Sequence, residues 1–420
     1  MRAIKPLQQP VQVDVCVPGS KSYTHRMLIA AALSDGVCTL QDALDSEDTT
    51  LTLTALKQWG VAVERTGAAV VVTGRGGELT ACGEAVFLGN SGTSMRLLTA
   101  VAALVRGKTI LTGGARMQAR PIQHLLDGLA QLGVAARSTA GNGCPPVEVM
   151  GGAVNGGSTR VNCSVSSQFL SALLLIAPCT RKGIEIVVTQ GPVSRPYVDI
   201  TLDSLARFGV QSARRGYEWF NVAGGQRYRA GVYAVEPDCS QASYFWAAAA
   251  VTGSTVTVKG ITAQSRQGDI RLLDVLEKMG CRVAKTAAGA TVSGARLSAV
   301  EVDMGDMPDV VPTLAVVAAF ARGKTLIHNV SHLREKESDR LAAITTELNR
   351  IGIEAGCDAN TLWVQGGNPH SAAVETHNDH RIAMSFAVAG LKTPGIVIMD
   401  EACVQKSFPT FWEIFDRLYG

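Results

Sequence analysis

Charge is scarce in this chain. Of its 420 residues 18% are charged against 46% hydrophobic, and 39 basic and 36 acidic residues leave a formal net charge of +3. Such a balance gives no reason to expect a nucleic-acid or membrane surface, so any preference for anions has to be local. Paired cysteines are missing as well. The ten cysteines are scattered singly from Cys16 to Cys403 without a CxxC, and no secretory apolar segment follows Met1, which points to a reduced, cytoplasmic setting. The longest apolar runs, such as Leu314 to Ala321, fall well short of the roughly 20 residues that cross a bilayer. There is no HExxH, no GxxxxGK[ST] and no serine or cysteine in a nucleophile-elbow context. His377, Asp379 and His380 are grouped, but no second cluster of histidine or cysteine stands at ligand spacing, so neither a metal nor another cofactor is expected.

What the chain has in abundance is repetition. At this length one ordinary core is exceeded, and two domains or an array of smaller units is expected. A helix end, a glycine and an apolar residue recur at Gly60-Val61, Gly133-Val134, Gly209-Val210, Gly280-Cys281 and Gly352-Ile353, and the chain stops on a partial copy, Arg417 to Gly420. A second series, Gly36, Gly107, Gly183, Gly253, Gly323 and Gly395, follows alanine-rich stretches at a spacing of about seventy residues. Each glycine fits a helix C′ position in the left-handed region, where a side chain costs energy. The unit is helix, glycine, strand, second helix, glycine, strands. Six such units follow one another without a long linker, so three are expected in each of two domains. The breaks fall near Val235 to Asp238 and at the strand-like run before Pro18.

The residues ahead of each alanine-rich helix are polar: Ser20-Lys21-Ser22, Asn90 to Arg96, Ser166-Ser167-Gln168, Asp238-Cys239-Ser240, Pro308-Asp309 and Asn378 to Arg381. A helix start carries unpaired N–H groups that suit a phosphate or carboxylate. One start contributes only about 0.3–1 kcal/mol, so side-chain cations are needed as well. Lys21, Arg26, Arg96, Arg120, Lys336, Arg340, Arg381 and Lys406 supply them. By itself each stretch has a plainer reading. Ser20 or Ser22 can be a simple cap, and the run Arg334 to Arg340 fits a solvated helix face with Lys336 and Arg340 one turn apart as well as it fits a ligand. Arg120, just before Pro121, suits bidentate capture of an anion or a solvated loop equally.

Taken together the motifs resemble the EPSP synthases, the 3-phosphoshikimate 1-carboxyvinyltransferases of the enolpyruvyl transferase family. The resemblance rests on PGSKSxxxR at Pro18 to Arg26, GNSGTSMR at Gly89 to Arg96, RP at Arg120, SSQFLSALL at Ser166 to Leu174, Pro192 to Tyr197, PD at Asp309, REKESDR at Arg334 to Arg340, NDHR at Asn378 to Arg381 and Lys406. It implies an α/β fold of two domains, 18–235 and 1–17 with 236–420, each of three βαβαββ units about a pseudo-threefold axis, an inside-out α/β barrel with the active site in the cleft between the domains. It also implies transfer of the enolpyruvyl group of phosphoenolpyruvate to the 5-hydroxyl of 3-phosphoshikimate by a cytoplasmic, monomeric enzyme that needs no cofactor.

Carried over by motif, Lys21, Ser22, Arg26, Ser166, Ser167, Gln168, Ser194, Tyr197, Asp309 and Lys336 hold 3-phosphoshikimate. Phosphoenolpyruvate falls to Lys21, Asn90, Gly92, Arg120, Gln168, Arg340, His380, Arg381 and Lys406. Asp309 is the implied base for the attacking hydroxyl, with Lys21 and Glu337 as the candidates for protonating the methylene carbon. Addition and elimination through a tetrahedral intermediate need an acid, a base and electrostatic clamping. Two positions depart from the pattern: His332 stands where many relatives have asparagine, and Leu97 where many have proline, which leaves the response to the family inhibitor glyphosate open. The sister enzyme acting on UDP-N-acetylglucosamine typically carries a cysteine where this chain has Ala115. A non-catalytic binder of phosphorylated metabolites is disfavoured by Asp309, Glu337 and Lys21 together.

Overall fold

A computed structural model describes all 420 residues. The chain divides into two compact units, Gly19–Val235 and Met1–Pro18 with Glu236–Gly420. The first holds helices α1 (Lys21–Leu33), α2 (Glu47–Gln58), α3 (Gly92–Ala102), α4 (Gln123–Gln131), α5 (Gln168–Ile176) and α6 (Pro196–Arg207). The second holds α7 (Cys239–Thr252), α8 (Leu272–Lys278), α9 (Val311–Ala318), α10 (Arg340–Arg350), α11 (His380–Gly390) and α12 (Phe411–Asp416).

Each repeat builds its own small sheet. In the third, Gly157–Asn162 pairs in parallel with Ile184–Gln190, which pairs antiparallel with Trp219–Val222, and that strand carries Ala213–Arg215 at the edge. Strand, α5, strand, α6 and two strands spell βαβαββ, and five of the six sheets share this parallel-then-antiparallel order. The last sheet is completed by the N-terminal Arg2–Ala3, which lies antiparallel to Ile396–Ile398.

Two strands leave their sequence neighbours. Gln12–Val15 precedes α1 but pairs with Thr255–Lys259 of the second unit, whereas Gly231–Ala234 precedes α7 and pairs with Val37–Gln41 of the first. The run before Pro18 therefore does not serve the helix it introduces. At this crossing the Pro18 carbonyl accepts the Asp238 amide, which keeps Pro18 with the second unit.

The odd-numbered helices α1, α3 and α5 pack on one another in the first unit, as do α7, α9 and α11 in the second. They are buried all round. In α1 every residue but Ser22 is buried, and in α7 every residue but Thr252. A helix buried on all faces needs apolar, small residues, and the runs Ala30 to Ala32 and Ala247 to Ala250 let the neighbours close in. Sheets and even-numbered helices lie outside this centre.

The first glycine series ends its helices alike. Gly60, Gly133, Gly209, Gly280 and Gly352 all have positive φ, and in each case the glycine amide and the next one bond back to carbonyls three and five residues earlier at 2.9 to 3.1 Å, a Schellman cap. The second series departs from the expected C′ role. Only Gly253 ends its helix in the left-handed region. Gly107, Gly183, Gly323 and Gly395 have positive φ within or just before a strand, after the helix has already closed. Gly36 is not left-handed at all; its lack of a side chain answers to Ala230, whose Cβ would be 2.8 Å from a Cβ added there.

Candidate functional site

In the first unit the starts of α1, α2, α3 and α5 are tied together by side chains. Lys21 opens α1 and its Nζ donates to Asp48 Oδ2 at 3.2 Å, in the first turn of α2. Ser94 Oγ donates to the Asp48 carbonyl at 3.2 Å and shares a bond with Ser91, the N-cap of α3. Arg96 donates to Gln168 Oε1 at 2.9 Å, while Gln168 Nε2 donates to Thr93 Oγ1 at 3.0 Å, which joins α3 to α5. Both carboxamide faces of Gln168 are thereby set. Ser20 is the N-cap residue of α1 but makes no side-chain capping bond, and its hydroxyl is buried without a partner. The simple-cap reading does not describe it.

Arg120 lies against the start of α3. It is buried, its Nη1 reaches the Asn90 carbonyl at 3.2 Å, and its Nε has no hydrogen-bond partner. A Cβ on Gly92 would sit 2.4 Å from Arg120 Nη2 and 2.6 Å from Cζ, so glycine is what admits the guanidinium here. Arg26 is placed differently from the other cations. Its guanidinium is buried and donates to Thr201 Oγ1 at 2.7 Å, the Ser22 carbonyl at 2.9 Å, Ser171 Oγ at 3.3 Å and the Tyr197 carbonyl at 3.2 Å. It pins α1 to α5 and α6, and burial pulls its pKa down to about 10. Ser167 Oγ donates to the carbonyl of Ser194, a residue held at φ 55°, and Ser166 Oγ accepts from the Gln168 amide.

In the second unit the organising group is Arg340. It is 1% exposed and serves three carboxylates: Nε donates to Asp379 Oδ2 at 2.8 Å, Nη1 to Asp309 Oδ1 at 3.0 Å and Nη2 to Glu337 Oε2 at 2.9 Å. Burial disfavours its charge, but Asp379, Glu337 and Asp309 outweigh that and hold it above the ordinary guanidinium range. For Asp379 the same contest runs the other way: burial pushes its carboxyl up, and Arg340 and His380 outweigh it and hold it down. Arg381 takes the other oxygen of Asp309 at 2.7 Å. Asp309 is thus a carboxylate gripped on both oxygens by fixed guanidinium groups.

The run from Arg334 to Arg340 is not one helix face. Ser331–Glu335 is a 3-10 turn, Lys336 is extended, and α10 begins at Arg340 with Asp339 capping the Ala342 amide. Lys336 and Arg340 are therefore not neighbours on one helical turn. His332 is buried, and burial together with Lys336 pulls its pKa down to about 3. Lys406 ends the 3-10 turn Glu401–Lys406 and is buried, as is His380 at the start of α11. The metal-like grouping is taken apart by its partners. His377 Nε2 bonds Glu347 Oε1 at 2.9 Å and Asp379 is engaged by Arg340, and no group of three or more His, Cys, Asp or Glu is placed to hold a metal ion.

Sequence reasoning missed Asp48, Tyr244, Asp269 and Glu347. Tyr244 Oη accepts from Arg381 Nη1 at 3.4 Å, and burial pushes its pKa up to about 12. Asp269 accepts the Ser240 hydroxyl and is pushed up to about 7, by burial first and by Asp309 next. Asp48 lies four residues before Thr52 in an ordinary amphipathic stretch, and nothing in the local pattern singles it out. Asp269, in Gln267-Gly268-Asp269, has the look of a turn residue.

Buried guanidinium and ammonium groups near the starts of repeated α/β units are an arrangement suited to small, multiply charged anions. Comparison with known proteins makes this specific. The family model of EPSP synthase (3-phosphoshikimate 1-carboxyvinyltransferase) matches residues 6–415, and the chain belongs to that family. A 3-phosphoshikimate 1-carboxyvinyltransferase of Syntrophobacter fumaroxidans is 42% identical over 420 residues, covering 99% of each chain. One from Methanoculleus marisnigri is 43% identical over 413 residues, 98% of this chain and 97% of its own. A solved structure of EPSP synthase from Acinetobacter baumannii superposes with a TM-score of 0.82 at 30% identity, covering 99% of this chain and 97% of that one.

Proposed function

We infer that this chain transfers the enolpyruvyl group of phosphoenolpyruvate to the 5-hydroxyl of 3-phosphoshikimate and releases phosphate. The observation that carries the reading is Asp309: a carboxylate fixed between Arg340 and Arg381, with Glu337 on the same Arg340, sets two titratable carboxyl groups beside two cations. In this assignment Asp309 accepts the proton of the attacking hydroxyl, and one proton reaches the methylene carbon from either Lys21 or Glu337. The hydroxyl oxygen adds to the enol carbon to give the tetrahedral intermediate; loss of phosphate and of a methyl proton then restores the double bond.

Lys21, Asn90, Gly92, Arg120, Gln168, Arg340, His380, Arg381 and Lys406 hold phosphoenolpyruvate in this reading. Lys21, Ser22, Ser166, Ser167, Gln168, Ser194, Tyr197, Asp309 and Lys336 hold 3-phosphoshikimate. Arg26 contributes chiefly by fixing the walls, since four of its donors are already used inside the unit. We propose that the two sets act on one substrate pair, in a cytoplasmic monomer. No helix is long and apolar enough to cross a membrane.

The test is phosphate release from phosphoenolpyruvate, measured with 3-phosphoshikimate and separately with UDP-N-acetylglucosamine. Release with the first alone is the expected result. Release with the UDP-sugar alone assigns the chain to the sister reaction, and release with neither removes the enzymatic reading.

A further inference from the structure

The loop Glu375 to Asp379 leads into α11 and carries two consecutive non-glycine residues in the left-handed region, His377 and Asn378, each at φ 53°. Such backbone is costly and persists only where the surroundings over-determine it. Both ends of this short loop are fastened to α10. At its far end Asp379 receives two bonds from Arg340, the first residue of α10, at 2.8 and 3.3 Å. At its near end Glu347, seven residues further along α10 and fully buried, accepts from His377 Nε2 at 2.9 Å and from the Glu375 amide at 3.1 Å. Glu347 is held in turn by Arg350 Nε at 3.0 Å. Residues seven apart on a helix lie on one face, so a single face of α10 carries both fastenings. Immediately beyond the loop come His380 and Arg381, and Arg381 holds Asp309.

We propose that Glu347 and His377 are positioning residues: their bond holds the left-handed turn at 377–378 and so sets Asp379, His380 and Arg381 in the geometry that receives phosphoenolpyruvate. Neither residue touches the reacting atoms. The fastening explains why a carboxylate is buried at Glu347, outside every motif, and what holds two successive non-glycine residues in a region that such residues seldom occupy. The consequence for binding rests on the functional reading given above; the consequence for the loop does not.

Three variants at the part-exposed position 377 separate this from a general stabilising role. His377→Ala loses the bond and keeps the backbone conflict. His377→Gly loses the same bond but accepts positive φ without conflict. His377→Gln keeps an N–H donor toward Glu347. With the full-length protein, steady-state kinetics and amide exchange over residues 375–383 are measured for each. Expected are at least a fivefold rise in KM for phosphoenolpyruvate in His377→Ala with KM for 3-phosphoshikimate within twofold, faster exchange over the loop, and substantial recovery of both in His377→Gly and His377→Gln. A purely structural contact would lower Tm similarly in the alanine and glycine variants and leave the KM ratio unmoved. That pattern, or unchanged exchange in His377→Ala, overturns the proposal. Should the wild type show no transferase activity, the functional reading fails by itself, and loop exchange in the three variants still decides the positioning role.

Discussion

Replacing Gly92 by alanine tests the phosphoenolpyruvate assignment at one methyl group. The new Cβ would stand 2.4 Å from Arg120 Nη2, 2.6 Å from Cζ and 2.8 Å from Nη1, where ordinary carbon contacts need about 3.5 Å. The guanidinium must therefore withdraw by about 1 Å. Because the clash is with the far end of a flexible side chain and Gly92 already lies inside α3, stability should change by less than about 1 kcal/mol. The bound anion is affected far more. A hydrogen bond to a charged group is worth about 1.5–3 kcal/mol, so losing one predicts a fall of roughly tenfold to a hundredfold in kcat/KM for phosphoenolpyruvate. The assay is phosphate release against phosphoenolpyruvate at saturating 3-phosphoshikimate, with thermal unfolding alongside. Gly114→Ala is the control, since no atom lies within 4 Å of a Cβ there. If Gly92→Ala kept kcat/KM within twofold of wild type while folded, Arg120 would not be the clamp it is taken to be.

Arg340→Met should cost about 3–5 kcal/mol because it strands the buried Asp379 carboxylate, and adding Asp379→Asn should recover part of that in denaturant unfolding. His332 is held neutral by the fold, with a pKa near 3 against 6.5 in the unfolded chain, so the unfolded state takes up its proton first as pH falls. Stability from this residue is complete above pH 6.5 and is lost below it at about 1.4 kcal/mol per unit, or about 2 kcal/mol by pH 5. His332→Asn should flatten the pH dependence of the unfolding free energy by that amount in denaturant titrations, and an unchanged slope would show that His332 does not titrate this way. Gly60→Ala meets no neighbour within 4 Å but must adopt φ 86°, so a loss of about 1–2 kcal/mol from backbone alone is expected in denaturant unfolding. Cys163 and Cys239 are buried thiols raised by desolvation, Cys163 to about 12, and their alanine variants should keep kcat within tenfold; a hundredfold loss in a folded variant would bring a thiol into the chemistry.

Much of this protein is legible in one dimension because it is repeated. The Schellman ends at Gly60, Gly133, Gly209, Gly280 and Gly352 are local events, decided within six residues, and a glycine in each copy is enough to announce them. The polar stretches that open α1, α3, α5, α7 and α11 are legible for the same reason, since a helix start is written by its cap and first turn. The six-unit α/β architecture follows from those signals alone.

What depends on residues far apart in the chain was decided by tertiary packing. No local pattern shows that Gln12–Val15 joins Thr255–Lys259 or that Arg26 spends its donors on Ser171, Tyr197 and Thr201, because hydrogen-bonding demand can be met by any partner the fold brings near. The charge run at 334–340 looked like one amphipathic turn until Arg340 met Asp379 and Asp309, 39 and 31 residues away. Burial makes such long-range charge pairs obligatory, and burial is a property of the folded molecule. The sequence by itself determined where the helices closed by Gly60, Gly133, Gly209, Gly280 and Gly352 end and that Lys21, Arg96 and Arg381 stand in the first turns of α1, α3 and α11; the tertiary structure decided where α10 begins and which carboxylate Lys21, Arg340 and Arg381 answer to.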